Sequence, residues 1–262
     1  MILLSFDIEE FDMPFEYGKT IDFEEQISIS KMGTSIILDI LKKHNIKATF
    51  FSTVVFAQNA PELIQEIVND GHEIASHTCY HSKFEVADLQ KSKQALEQQT
   101  GQKVLGFRMP RMQPVDEKEI FKAGYTYNSS INPTYLPGRY NNFSKPRTYF
   151  YQENILQIPA SVTPLVRFPL FWLSFHNLNL SLYRWLARWT LKTDGYLNIY
   201  FHPWEFTDLD QKEKYNFPSY VSKNTGDKMA NRLNTFIISM KNKKYPFGTF
   251  QEFIAKKVQG NG

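Results

Sequence analysis

KATFFSTVVFAQNAPELIQEIVNDGHEIASHTCYH, residues 47–81, decides the fold. Residues 47–56 are β-branched and aromatic and are expected to form a strand. Residues 60–71 read as a helix, with Pro61 near its start and Gly71 at its C-cap. HEIASH, 72–77, is a second short strand. Strand, helix and strand at this spacing argue a parallel sheet with right-handed crossovers, open or closed into a barrel.

The alternation extends on both sides. Residues 1–8 read as a buried strand, and 32–44 have apolar positions at helical spacing. Residues 84–100 form a polar helix closing at Gly101, and KVLGFRMP is a strand stopped by Pro110. EKEIFKAG is a helix ending at Gly124, and YTYNSSI is a strand. The second half is less regular, with 132–153 loop-like and LQIPAS a candidate strand. Residues 178–192 are an aromatic helix and 196–206 a strand ending in a polar cluster. Residues 226–242 and 249–258 are amphipathic helices. The class is α/β, and with no repeat or boundary in view, residues 1–262 are expected to form a single domain.

Composition excludes several partners. Net charge is +3 over 262 residues, and the lysines are scattered rather than striped, so nucleic acid is not expected. Cys79 is the single cysteine, which fits a reducing compartment. The opening MILLSFDIEEFD lacks the basic flank and apolar length of a signal peptide, and no run is apolar enough to span a membrane. A cytoplasmic protein is expected.

In α/β sheets, chemistry gathers at the C-terminal ends of strands. Asp7 and Glu9 end the first strand, His77 and His81 follow the third, Arg108 ends the fourth, Asn128 the fifth, and His202 the late strand. On a helical turn His77 and His81, four apart, would share a face and could meet one metal, although a bare pair also fits two surface histidines. Asp7 and Glu9, two apart on a strand, project together, so one can bind metal while the other serves as a base. Glu10 and Asp12 read as a solvated acidic loop. Arg108 could hold a catalytic carboxylate ionised. Cys79 reads as packing on a helix face. His202, in a cluster with Tyr200, Trp204 and Glu205, could be oriented by a carboxylate and act as a general acid.

SFDIEE, ATFF, DGHEIASHTCYH, FRMP, GYTYNSSI and YFHPWEF, in that order, resemble the polysaccharide deacetylase family, also called the NodB-homology or carbohydrate esterase 4 family. The resemblance covers roughly residues 1–206. DIEE and YFHPWEF are more similar to a subgroup associated with bacterial polysaccharide biosynthesis. The resemblance implies a deformed (β/α)7 barrel and a zinc-type divalent ion. It carries over to Asp7 as base, Glu9, His77 and His81 as metal ligands, Arg108 as partner of the base and His202 as acid. Asn128, Arg111, Trp204 and Glu205 are the residues expected to orient or contact substrate.

Three departures stand out. The first motif is Asp-x-Glu rather than two adjacent aspartates, so the carboxylate ligand is Glu9 or Glu10, and strand alternation favours Glu9. Asn128 replaces the usual aspartate of the fourth motif, a role Glu205 could partly take. Arg111 follows the proline where many members carry an aromatic.

The implied reaction is hydrolysis of an N-acetyl group from an amino sugar. A divalent ion polarises the acetamide and activates water, and Asp7 takes the water's proton. A backbone N–H near Arg111 steadies the oxyanion, and His202 protonates the departing amine. Rival readings are an allantoinase-like amide hydrolase on the same fold and an inactive glycan-binding relative.

RFPLFWLSFHNLNLSLYRWLARWTLK, residues 167–192, interleaves aromatics with Arg167, Arg184, Arg188 and Lys192. Core packing explains such a run, and so does an interfacial element with rings at headgroup depth. The second reading leads to a lipid-linked or nucleotide-linked N-acetyl sugar, reached by peripheral contact at the cytoplasmic membrane face.

Overall fold

The computed structural model describes residues 1–258. Residues 259–262, the end of the expected single domain, lie outside the described residues. The elements run β1 (Ile2–Ile8), α1 (Phe23–His44), β2 (Thr49–Ser52), α2 (Val54–Asn59), α3 (Pro61–Asn69), β3 (Glu73–Ser76), α4 (Ala87–Thr100), β4 (Gly106–Phe107), α5 (Glu117–Lys122) and β5 (Tyr127–Asn128). A hairpin follows, β6 (Tyr135–Leu136) and β7 (Tyr140–Asn141), then β8 (Phe150–Gln152) and β9 (Ile155–Gln157). Next come α6 (Trp172–Asn177), α7 (Leu180–Asp194), β10 (Leu197–Phe201), α8 (Lys212–Tyr215), α9 (Ser219–Ser222), α10 (Asp227–Asn242) and α11 (Phe250–Phe253).

The main sheet has the order β10-β1-β2-β3-β4-β5-β9-β8. Every neighbouring pair from β10 to β9 is parallel, and only β8 runs antiparallel. These seven parallel strands curl into the deformed (β/α)7 barrel. No ladder joins β9 to β10 among the described residues; the chain just after β9 closes the seam instead. Ser161 N–H donates to the Asn198 carbonyl at 2.9 Å, and Asn198 N–H donates to Ser161 Oγ at 2.9 Å. The Asn198 side-chain amide reaches the carbonyls of Ile158 and Pro159.

All seven residues of β1 are buried, as both faces of a parallel strand must be. Ile2, Leu4, Phe6 and Ile8 pack with the surrounding helices, whereas Leu3 joins Phe51, Ala75, Tyr127, Tyr196 and Phe250 in a separate cluster inside the barrel. Strand alternation therefore carries Ser5 and Asp7 inward with Leu3. Apolar side chains share the barrel interior with a buried polar group in which Glu73 accepts from Thr49 Oγ1 and Tyr127 Oη, and the charged side chains of Asp7 and Arg108 stand above it toward the C-terminal mouth.

Several expected boundaries shift for identifiable reasons. Val54, Val55 and Phe56 open α2 instead of continuing the strand. Thr53 caps that helix by accepting the Phe56 N–H at 3.1 Å, and the carbonyls of Thr78 and Cys79 accept its Val54 and Val55 N–H groups. The first long helix begins at Phe23, not near Met32, because polar residues ahead of the expected start are packed: Gln26 and Ser30 are buried. Residues 132–153 contain a short hairpin and β8.

Gly33 links the fold to the site. A Cβ there would lie 1.9 Å from the Pro203 carbonyl oxygen, on the turn that follows His202. Alanine in a helix interior normally gains roughly 0.5–1 kcal/mol over glycine. Here the obstruction is backbone, which cannot rotate away. Gly33→Ala is expected to destabilise by about 1–3 kcal/mol. Thermal unfolding checks this, and an unchanged or raised Tm would mean that the 203–206 turn yields.

Candidate active site and metal centre

Asp7 and Arg108 form the floor of the site. Arg108 is fully buried, and its Nη1 donates to Asp7 Oδ1 at 2.5 Å. Its Nε and Nη2 donate to the carbonyl and Oγ of Ser129, at 3.1 and 3.0 Å. The guanidinium lies 4.0 Å above the Phe51 ring. Burial alone would raise the Asp7 carboxyl, but the Arg108 charge beside it prevails and holds it below its ordinary value.

Glu9 Oε2 lies 2.9 Å from His77 Nε2 and 3.2 Å from His81 Nε2. The two histidines do not share a helical turn as the spacing suggested. His77 follows β3 directly, Thr78 takes φ +70°, and the chain doubles back so that the imidazoles stack with centroids 5.7 Å apart. A β-branched residue in the left-handed region is strained, and the strain sits between the two rings. The Val54 and Val55 N–H groups hold this loop from outside through the Thr78 and Cys79 carbonyls.

The hydrogen bonds fix both tautomers. His77 Nδ1 faces the Arg108 carbonyl at 2.8 Å, and His81 Nδ1 faces Asp12 Oδ1 at 2.7 Å. Neither acceptor can donate, so each Nδ1 carries the proton and each Nε2 presents a lone pair. Both lone pairs aim at a buried carboxylate oxygen, Glu9 Oε2, which accepts no hydrogen bond among the described residues. Burial first, then the charges of Asp7, Asp12 and Glu10, push the Glu9 carboxyl well above its usual range. Burial drives the His77 imidazole down to about 3. Three donors converge on one point, and a divalent cation there would take the place of the proton that burial otherwise favours on Glu9; oxygen with imidazole nitrogen is a zinc-type set.

Glu10 and Asp12 are not a solvated loop. Both are buried. Glu10 accepts the His81 N–H at 2.8 Å and the Thr53 hydroxyl at 2.9 Å. Asp12 takes His81 Nδ1 and Arg111 Nη2, the latter at 2.9 Å. Arg111 also donates to Glu16 and to the His81 carbonyl. Arg111 lines the cleft, but most of its guanidinium braces the loop that carries His81. Cys79 lies in a loop rather than on a helix face, and burial pushes its thiol up to about 11, so it packs rather than ligates.

On the opposite wall, His202 Nε2 stands 4.0 Å from Asp7 Oδ2. Glu205 Oε1 accepts both the His202 backbone N–H, at 2.6 Å, and Nδ1, at 3.0 Å. Trp204 stacks on the His202 ring at 16° with a centroid distance of 5.3 Å. The other Glu205 oxygen takes His176, a buried histidine that the sequence pattern did not single out. Asn128 stands away from the cleft. Its amide donates to Gln157 Oε1 at 3.0 Å, its oxygen accepts from Ser130 Oγ, and Ser130 in turn accepts the Met109 N–H. The carboxylate that orients His202 therefore comes from the histidine's own turn.

The cleft above these groups encloses about 290 Å³. Its walls include Tyr17, Leu136, Tyr140, Trp172 and Tyr220, a mainly aromatic and apolar lining around the polar floor.

The polysaccharide deacetylase family matches residues 15–127, a span that holds His77, His81 and Arg108. A chitooligosaccharide deacetylase from Bradyrhizobium sp. is 46% identical over 59 residues, which are 21% of this chain and 27% of that protein. The chain spans about a quarter of the length of the curated relatives it matches. A Mycobacterium smegmatis structure described as a polysaccharide deacetylase superposes with TM-score 0.68 and 18% identity, covering 99% of this chain and 90% of that one. Puue allantoinase superposes with TM-score 0.66 and 14% identity, over 98% and 90% of the two chains. The fold is thus shared with structures named for different activities and does not by itself choose between them.

Glu9→Ala, His77→Ala and His81→Ala are each expected to abolish stoichiometric divalent-ion binding, while Asp7→Asn retains it. Asp12→Ala, which frees the His81 ring, should weaken the ion roughly 10–100-fold. Chelator competition followed by metal analysis reads all four. An empty Asp7→Asn beside a loaded Glu9→Ala would reverse the two carboxylates.

Proposed function

On the premise that this chain is a relative of the polysaccharide deacetylases, we propose that it is a metal-dependent hydrolase that removes the N-acetyl group from an amino sugar. The observation that carries this reading is the meeting of two Nδ1-protonated histidines on an unpartnered glutamate beside a second, ionised carboxylate. The same set argues against an inactive glycan-binding relative, which has no use for it.

The cation held by Glu9, His77 and His81 would act as a Lewis acid toward the acetyl carbonyl and the attacking water. Asp7 has one oxygen committed to Arg108 and the other, Oδ2, turned toward His202. Asp7 Oδ2 receives the water's proton. A backbone N–H at Arg111, on the rim turn, stabilises the oxyanion. His202, with Nδ1–H held by Glu205 and a second proton on Nε2, delivers the Nε2 proton to the departing amine, and the proton taken up by Asp7 restores it after turnover. At 4.0 Å, Asp7 Oδ2 and His202 Nε2 are too far apart to hydrogen-bond to each other, which leaves each free for a substrate atom. Trp172, Tyr200 and Trp204 surround the His202 ring, and the half-buried Trp172 is the one of the three placed to meet a sugar.

The carrier of the sugar is read from the apolar groups. Leu136, Pro137, Leu173 and Val221 lie at the cleft, which suits an amphiphilic substrate such as a lipid-linked sugar intermediate of surface-polysaccharide assembly. Most aromatics of 167–192 are spoken for: Phe171, Phe175 and Tyr183 are buried and Trp172 lines the cleft. Trp185 is 55% exposed, and Leu165 and Val166 are more so. No helix among the described residues is long and apolar enough to cross a membrane. The proposed contact is therefore peripheral.

His202→Ala should keep the ion and substrate affinity while amide turnover falls about 10²–10⁴-fold. Activated acetate esters, whose leaving groups need no proton, should be spared. Equal losses on both substrates would remove His202 from the acid role. For the membrane contact, the wild-type protein should float with anionic liposomes at low salt and Trp185→Ser should float less. A wild-type protein that stays in the soluble fraction overturns that part alone.

A further inference from the structure

His176 lies at the centre of an unexplained polar contact. It sits on α6 and is 1% exposed. Its Nε2 is 2.8 Å from Glu205 Oε2, and neither side chain has any exposed surface. A carboxylate oxygen accepts, so Nε2 must carry the proton. Nδ1 then has no hydrogen-bond partner among the described residues. An orphaned buried ring nitrogen costs roughly 1–3 kcal/mol and calls for a reason.

The reason lies on the other side of Glu205. Its Oε1 holds His202 twice, at the backbone N–H and at Nδ1. If Oε2 were left bare in this fully buried place, the carboxyl would be driven to protonate or to turn. Burial does act to raise it, yet the hydrogen bonds from His176 and His202 prevail and keep it below the usual carboxylate value. Packing holds His176 in place. The Trp172 ring meets it edge-on at 5.8 Å and 89°, and Asn224 Nδ2 donates to its carbonyl at 2.6 Å. Trp172 also stands edge-on to His202 at 5.7 Å, so one indole borders both ends of the chain of contacts.

We infer that His176 is a positioning residue: by donating to Glu205 Oε2 it keeps that carboxylate aimed at His202 Nδ1, so that His202 presents Nε2 to the leaving amine. This rests on the deacetylase reading for its catalytic meaning. The three side chains form the line His176–Glu205–His202, with only the last touching substrate.

Two variants and two readouts test it on the metal-loaded protein. His176→Phe keeps the ring volume without the donor. His176→Gln places an amide N–H where Nε2 was. His176→Phe should lower kcat on the N-acetyl substrate by about tenfold or more with KM within about twofold, and spare activated esters. His176→Gln should recover most of that loss. Nitrogen-15 spectra of labelled histidine, recorded at a pH where His202 is neutral, should show it as the Nδ1–H tautomer in wild type and in His176→Gln, and as a mixed or Nε2–H form in His176→Phe. Equal losses on amide and ester, a Gln variant no better than Phe, or an unchanged His202 tautomer in His176→Phe would each overturn the inference. The tautomer is read whether or not the wild-type protein deacetylates. Inactive wild type with the expected tautomer pattern would sink the deacetylase reading and leave the positioning role standing.

Discussion

Asp7, Glu9, Glu10 and Asp12 fall within six residues of chain, and all four are buried together. So many carboxylates cannot remain ionised in a low-dielectric place without compensation. Two guanidiniums face them, Arg108 on Asp7 and Arg111 on Asp12. Glu10 is held by neutral donors, a hydroxyl and a backbone N–H. Glu9 is left with two imidazole lone pairs. The formal deficit is two negative charges, which one divalent cation balances. The rest of the mouth follows from that need: Arg108 is drawn inside the barrel, Arg111 is pulled across to the first loop, and the 77–81 loop bends back on itself.

Parallel strands make this concentration possible. Their C-terminal ends face one way, so the loops after β1, β3, β4 and β10 share one mouth although they span nearly the whole chain. Strand alternation sends Asp7 inward above the apolar layers, where Phe51 supports the Arg108 guanidinium. The strained Thr78 is held because neighbouring groups over-determine its loop, with α2 using the Thr78 and Cys79 carbonyls as partners for its own N-terminus. Helix capping and ligand placement are one set of hydrogen bonds here.

Much of this was legible in the sequence because it follows from period and position. Alternating elements gave the barrel, and residues at strand ends gave Asp7, Glu9, His77, His81, Arg108 and His202 as candidates. The structure brings all six to one mouth. The spacing of His77 and His81 suggested proximity correctly but through the wrong geometry, since a reversed loop and a helical turn both bring positions four apart together. Glu10 and Asp12 were read as solvated because charge in a loop usually is. Their burial depends on Arg111 and His81, partners some seventy to a hundred residues away that no local pattern announces. His176 was hidden in an aromatic run, where a histidine resembles one more packed ring.

Asn128 is the point at which the resemblance and the geometry part. An aspartate at that position would sit on β5, away from the His202 ring. With an amide in its place, the β5 end serves only a neutral network through Gln157 and Ser130. Glu205, three residues after His202 on the same turn, holds the ring by Nδ1 and by the backbone N–H together. A carboxylate attached to the histidine's own turn moves with it, so its orientation does not depend on the register of a distant strand. It does depend on how the far oxygen is satisfied and on how closely that turn approaches α1. His176 on α6 and Gly33 on α1 are two places where helices outside the barrel press on the acid side of the site.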